Sequence, residues 1–174
     1  ELKVAGSAKF AAFSTSTPAV HAGKAYVGGV DENGYGTLSV VDVSAMRVEA
    51  SVTADLGEVK SAPLVSARQD GVYVYFTCNA LPGAVYVYKA GDAVATKLFT
   101  PGEGMQEYCS ASIVADAEGN LYYTNDSGTL FKLAAAAGHR VSFEANGGSH
   151  VASVLVKAGA AVERPADPTR SGYV

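Results

Sequence analysis

Ala62-Pro63-Leu64-Val65, then Gly71-Val72-Tyr73-Val74-Tyr75-Phe76-Thr77, then Gly83-Ala84-Val85-Tyr86-Val87-Tyr88, is the stretch whose reading decides the fold. Each run is short, rich in β-branched and aromatic residues, and bounded by turn formers, the pattern of three successive β-strands. In the middle run Val72, Val74 and Phe76 fall on one side of a pleated strand and Tyr73 and Tyr75 on the other. Neither side is polar, so the sheet needs cover on both faces.

Weaker copies flank it. On one side stand Thr17-Pro18-Ala19-Val20, Ala25-Tyr26-Val27-Gly28 and Gly36-Thr37-Leu38-Ser39-Val40-Val41. On the other stand Ala111-Ser112-Ile113-Val114, Gly119-Asn120-Leu121-Tyr122-Tyr123-Thr124 and Gly128-Thr129-Leu130-Phe131-Lys132-Leu133. Taking Val20, Val65 and Val114 as equivalent gives spacings of 45 and 49 residues; Gly36, Gly83 and Gly128 give 47 and 45. A period of roughly 40 to 50 with several short strands per repeat is the signature of a β-propeller blade, whose sheets cover one another by stacking. A more polar outer strand is expected at Arg47–Thr53, which alternates clearly, and more loosely at Ala93–Phe99. Asp31-Glu32-Asn33-Gly34, Pro82-Gly83, Glu118-Gly119-Asn120 and Asp126-Ser127-Gly128 supply the turns.

The expected fold is therefore all-β: a partial propeller of about three four-stranded antiparallel blades over residues 1–133. Residues 1–14 are expected to be the end of a preceding blade, with Leu2-Lys3-Val4-Ala5 as its last strand. Three blades fall short of the roughly four that close a ring. Three arrangements stay open: a piece of a larger propeller, a ring completed by another chain, or Leu2-Lys3-Val4-Ala5 serving as a missing outer strand. Residues 134–138 read as a connector.

The bulk numbers narrow the function classes. The chain has 174 residues, 48% hydrophobic and 17% charged, with 19 glycines and 10 tyrosines, an ordered β-rich composition. Net charge is −4 and the 13 basic residues are scattered, which argues against nucleic acid. No apolar run approaches the roughly 18 residues of a membrane span, so direct membrane insertion is not expected. The N-terminus lacks signal-peptide features, so the chain is expected either to have lost one or to start inside a longer protein.

Candidate chemistry is sparse. His21, His139 and His150 lie in different repeats or domains, without metal-ligand spacing. Asp116-Ala117-Glu118-Gly119-Asn120 lacks the spacing of a calcium loop and reads as a hairpin turn. Asp31, Glu32, Asp42, Glu103 and Glu107 are carboxylates that sequence alone cannot pair. Asn125-Asp126-Ser127 fits a glycosylation sequon and reads as a turn. No catalytic, cofactor-binding or metal-ligating set is assigned. Cys78 is expected to end the second strand of its blade and Cys109 to begin the first strand of the next, both at the same end of the stack, so a disulfide between them and a pair of buried free thiols are the two readings. The loops around Asp31–Gly36 and Gly102–Cys109 are the longest, which makes Asp31, Glu32, Tyr35, Glu103, Gln106 and Tyr108 the candidate contact residues.

Two resemblances add to this. At Gly83–Tyr88 and Gly128–Leu133 the repeats resemble blades of the PQQ-like propeller superfamily, over roughly residues 15–133. The quinoprotein dehydrogenases of that superfamily carry a tryptophan docking motif. This chain has no tryptophan, which sets it apart from quinone binding and alcohol oxidation. The tail is more specific. His139-Arg140-Val141-Ser142-Phe143-Glu144-Ala145-Asn146-Gly147-Gly148, Ala158-Gly159, Pro165-Ala166-Asp167-Pro168-Thr169-Arg170 and Ser171-Gly172-Tyr173-Val174 resemble the Listeria–Bacteroides repeat, also called the internalin B-repeat. That resemblance covers 139–174 and stops before the family's last aromatic and Gly-Trp. It implies a small β-grasp-like module of bacterial surface proteins, incomplete here, within a protein that continues. Independently, Asn146-Gly147-Gly148 suits a tight turn, Val151–Val156 a strand, and Pro165 and Pro168 an extended path.

The resulting expectation is a non-catalytic segment of an extracellular or cell-surface bacterial protein, needing no cofactor. Its propeller would act as an interaction or adhesion scaffold for a protein or glycan, or associate with itself to complete the ring. The alternative is a quinoprotein-like oxidoreductase or a propeller hydrolase.

Overall fold

A computed structural model describes residues 1–134, 138–149, 151, 154–157 and 161–170. The chain divides into two compact units, Glu1–Leu133 and Ala134–Val174. Among the described residues all regular structure is β, and no helix is long and apolar enough to cross a membrane.

The first unit holds three antiparallel sheets, each meandering in sequence order. Blade 1 is β1 (Ala19–His21), β2 (Lys24–Val30), β3 (Tyr35–Asp42) and β4 (Arg47–Leu56). Blade 2 is β5 (Leu64–Arg68), β6 (Gly71–Cys78), β7 (Ala84–Lys89) and β8 (Thr96–Phe99). Blade 3 is β9 (Val114–Ala115), β10 (Leu121–Thr124) and β11 (Leu130–Leu133). This is the all-β, partial-propeller arrangement that the repeat implies. The outer strand of blade 2 is shorter than expected, since Ala93, Val94 and Ala95 lie outside β8.

Two cores fill the spaces between sheets. Blades 1 and 2 share Tyr26, Leu38, Val40, Val52 and Val59 with Val74, Phe76, Tyr86 and Tyr88. Blades 2 and 3 share Tyr75 and Val85 with Ile113, Leu121, Tyr123 and Phe131. The alternation of β6 explains the division: even positions face blade 1 and odd positions face blade 3. Each fully buried large side chain stabilises by roughly 1.5–3 kcal/mol, so a blade removed from its neighbours loses most of its support.

The registers refine the repeat. Tyr26, Tyr75 and Tyr122 pair with Ala19, Leu64 and Val114 on their inner strands, and with Val40, Val87 and Lys132 on their third strands. The glycine alignment holds, but Val114 corresponds to Leu64 and not to Val65. A one-residue slip flips every side chain to the other face, and the connector into blade 3, from Thr100 to Ile113, is longer than the one into blade 2, from Gly57 to Pro63.

The same hydrogen bond closes each blade entry. Val30 N donates to Phe13 O (3.0 Å), Asn79 N to Glu58 O (2.9 Å) and Asp126 N to Tyr108 O (3.0 Å). Serines tie the inner strands together. Ser16 Oγ accepts from Gly28 N at 3.0 Å and donates to Ser61 O at 2.8 Å; Ser61 Oγ accepts from Thr77 N at 3.0 Å. The repeat glycines serve close approach where a neighbour is present. A Cβ on Gly83 would stand 2.5 Å from Cys109 Cβ, and one on Gly36 2.9 Å from Cys78 Sγ, whereas Gly128 has nothing within 4 Å.

One expectation is corrected. Leu2-Lys3-Val4-Ala5 forms no strand, and Leu2 and Val4 are fully exposed, at 103% and 87%. Among the described residues no strand pairs with them. Residues 10–13 instead lie on the outer side of blade 1, where Ser39 Oγ donates to Phe10 O at 3.1 Å. Of the two readings kept open for the cysteines, the structure holds the second: Cys78 and Cys109 are both free and buried. They lie in different cores on opposite faces of blade 2, so the middle sheet separates the thiols.

The second unit pairs β12 (Gly138–Val141) antiparallel to β13 (Val154–Lys157). Asn146 and Gly147 take positive φ, 45° and 84°, as the Asn-Gly-Gly turn requires. Ser149 N donates to Thr169 O at 2.8 Å and Thr169 N to Ser149 Oγ at 3.0 Å, so this turn meets the Asp-Pro-Thr-Arg segment. His150, Ala158-Gly159, most of the 134–138 connector and Ser171–Val174 fall outside the described residues.

Candidate functional site

Antiparallel meanders put the β2–β3, β6–β7 and β10–β11 turns at the same end of the stack as the connectors between blades. At this end, between blades 1 and 2, lies a groove of about 690 Å3. Its rim is apolar and exposed: Tyr35 (44%), Leu56 (59%), Leu81 (58%) and Tyr108 (46%). These come from the β2–β3 turn region, the end of β4, the β6–β7 turn and the β8–β9 connector, which only blade stacking brings together.

Asp55 and Lys97 also line it, joined by a 2.6 Å ion pair between β4 and β8. Burial alone would raise the Asp55 carboxyl, but the Lys97 ammonium and the neighbouring Tyr86 hydroxyl outweigh it and hold the group below its ordinary value. The Tyr86 hydroxyl is buried beside this carboxylate without reaching full hydrogen-bond geometry, and burial pushes its pKa well up. Lys97 Nζ sits 5.6 Å from the Tyr86 ring centroid. The site is thus an internally neutralised charge pair inside an aromatic and aliphatic rim. It offers stacking and apolar contact, plus a carboxylate and an ammonium for a polar partner.

Of the contact residues expected from sequence, Tyr35 and Tyr108 meet at this groove. Asp31 and Glu32 line a separate hollow of about 300 Å3 with Lys9, Phe10, Thr37 and Ser51. Asp31 Oδ1 is occupied within its own turn, accepting from Asn33 N and Tyr35 N at 2.9 Å each. Glu103 and Gln106 are exposed on the long connector and do not line the groove; Gln106 Nε2 donates to Pro101 O at 3.3 Å. Asp55 and Lys97 escaped the sequence reading. They sit 42 positions apart on strands of different blades, and no local motif marks either.

Other candidates resolve locally. Cys78 Sγ donates to Gly57 O at 3.3 Å, and burial, with the Asp55 charge adding, pushes its pKa up to about 12. Burial raises the Cys109 thiol too, and its Sγ donates to Thr124 O at 3.3 Å. Neither thiol has the low pKa of a nucleophile. Asp116 is consumed by its turn: it accepts from Asn120 N (2.8 Å), Asn120 Nδ2 (2.7 Å) and Tyr122 Oη (2.8 Å). The sequon residue Asn125 is 7% exposed, and its Nδ2, the atom a glycan would join, donates to Met105 O at 2.7 Å. Among the described residues no group of three or more His, Cys, Asp or Glu side chains is placed to hold a metal.

Residues 139–174 match the family model of the Listeria-Bacteroides repeat domain. No curated protein matches the chain.

Proposed function

We propose that this chain is a non-catalytic segment of a bacterial surface protein whose three-bladed unit binds a partner at the groove between blades 1 and 2. The Listeria-Bacteroides repeat at 139–174 points to a bacterial surface-protein segment and, with it, to an extracellular location. The adhesive role is the further step. One observation carries it: four large apolar side chains from four separate elements, each between 44% and 59% exposed, gather around one ion pair. Scattered exposed hydrophobics are ordinary, but a contiguous group rimming a concavity marks a contact site. The partner is a protein or glycan that presents an apolar or sugar face to Tyr35 and Tyr108. Kinship with PQQ-like blades rests on the loose strand motif at Gly83–Tyr88 and Gly128–Leu133, and contributes a scaffold rather than a chemistry.

The test is a glycan array together with a panel of immobilised extracellular-matrix proteins, probed with the chain and with Tyr35→Ala/Tyr108→Ala. Both tyrosines are surface residues, so the variant keeps its fold. Binding that falls at least about tenfold supports the groove. Binding that survives unchanged removes it from the function.

A further inference from the structure

The two ends of the three-bladed stack are complementary in what they lack. Blade 3 has three strands, and among the described residues no strand pairs with the outer edge of β11. Leu130 on that strand is 67% exposed. At the other end, the chain enters blade 1 along the path used by chain arriving from an outer strand. Phe13 holds Val30 as Glu58 holds Asn79 and as Tyr108 holds Asp126. The residues before Phe13 therefore occupy the position of β4 or β8 in the repeat. Their pattern is that of an outer strand: Leu2, Val4, Ala8 and Phe10 alternate with Lys3, Ser7 and Lys9. Yet they form no strand, and Leu2 and Val4 touch little but solvent. The outer face of blade 1 is also incompletely covered. A hollow of about 390 Å3 opens there between Phe10, Val27, Val41 and Met46, on the face that in blade 2 carries Phe76, Tyr86 and Tyr88 against a neighbour.

We propose that the segment around Leu2–Phe10 adds as the fourth strand to β11 of a second copy of this chain, and reciprocally. Blade 3 of each copy then stacks on blade 1 of the other, and two three-bladed units close one six-bladed ring. Six lies within the roughly four to eight blades that propellers use. The two copies are related by a two-fold axis, so the interface is self-complementary, and closure into a ring prevents an open filament. It continues the blade-on-blade packing already seen twice within the chain, and it removes an exposed strand edge.

Light scattering coupled to size-exclusion chromatography tests this on the full chain. The expected mass at high micromolar concentration is that of a dimer of the 17.8 kDa chain. Leu2→Asp/Val4→Asp should raise the dissociation constant at least about tenfold and leave the circular dichroism of the monomer unchanged, because both residues are exposed. The chain has no tryptophan, so Val4→Trp provides a single reporter whose emission should move to shorter wavelength as concentration rises. A monomer at every concentration, an open-ended polymer, a dimer indifferent to Leu2→Asp/Val4→Asp, or an indole emission from the Val4→Trp chain fixed at its solvent value would each overturn the exchange.

Discussion

Blades 2 and 3 carry the same device on one face and differ on the other. Phe76 stacks on Tyr86 across β6 and β7, with ring centroids 5.4 Å apart, and Tyr123 stacks on Phe131 across β10 and β11 at 4.9 Å. The registers place these pairs at equivalent positions, each facing the preceding blade. On the opposite face blade 2 presents Tyr73, Tyr75, Val85 and Val87 to blade 3. Blade 3 presents Tyr122, Leu130 and Lys132, of which Leu130 and Lys132 are exposed. Strand alternation alone makes two faces; a neighbouring sheet decides which of them becomes core. The middle blade should therefore answer mutation on both faces, and the third blade on one.

The largest test of that asymmetry is truncation of the aromatics. Phe76→Ala removes a side chain with no exposure from the core between blades 1 and 2, and should cost about 3–5 kcal/mol in urea denaturation. Tyr122→Ala, measured at low protein concentration, should cost about 1 kcal/mol or less. Equal losses would end the distinction. A smaller contrast concerns the serines. Ser61→Ala leaves the buried Thr77 amide without its 3.0 Å partner and should cost about 1–3 kcal/mol. Ser112→Ala frees an amide near water, Ala62 N, and should stay within about 0.5 kcal/mol. Smaller again is Tyr123→Phe. The Tyr123 hydroxyl is buried with no hydrogen-bond partner, so its removal should be neutral or slightly stabilising. A marked loss would reveal a partner for that oxygen.

The least effect is expected from pH. Hydrogen bonds from Asn120 and Tyr122 hold the Asp116 carboxyl, ordinarily near 3.8, at about 2. A depressed folded-state value stabilises above the unfolded value and loses that contribution as pH falls through the folded one. The urea midpoint should therefore decline between pH 4 and pH 2, and Asp116→Asn should make that decline shallower. A decline just as steep in the variant would take Asp116 out of the acid response.

Most of the strand map was legible in the sequence, for a physical reason. Runs such as Val72–Thr77 are apolar on both faces, and glycines at the turns mark where each run ends. The register of the third inner strand was not legible. Val114 and Val65 look alike as letters, and only pairing reveals that Tyr122 stands across from Val114 while Tyr75 stands across from Leu64. Leu2–Ala5 has the letters of a strand, but a strand needs an edge to pair with. The candidate site was half legible. Tyr35 and Tyr108 stand out as aromatics on long loops, whereas Asp55 and Lys97 become a pair only when two outer strands are laid side by side. The cysteines show the limit of counting ends: both lie toward the same end of the stack, but β6 alternation sends Cys78 into one core while Cys109 belongs to the other.

Hydrogen exchange followed residue by residue on the native chain reaches the central claim most directly, because it asks whether the middle blade is held by its neighbours. The amides of Val74, Phe76, Val85 and Tyr86 should exchange last and together, only through global unfolding, with no amide of blades 1 or 3 outlasting them. If β6 and β7 exchange earlier than the flanking blades, or independently of them, the sheets do not depend on being sandwiched.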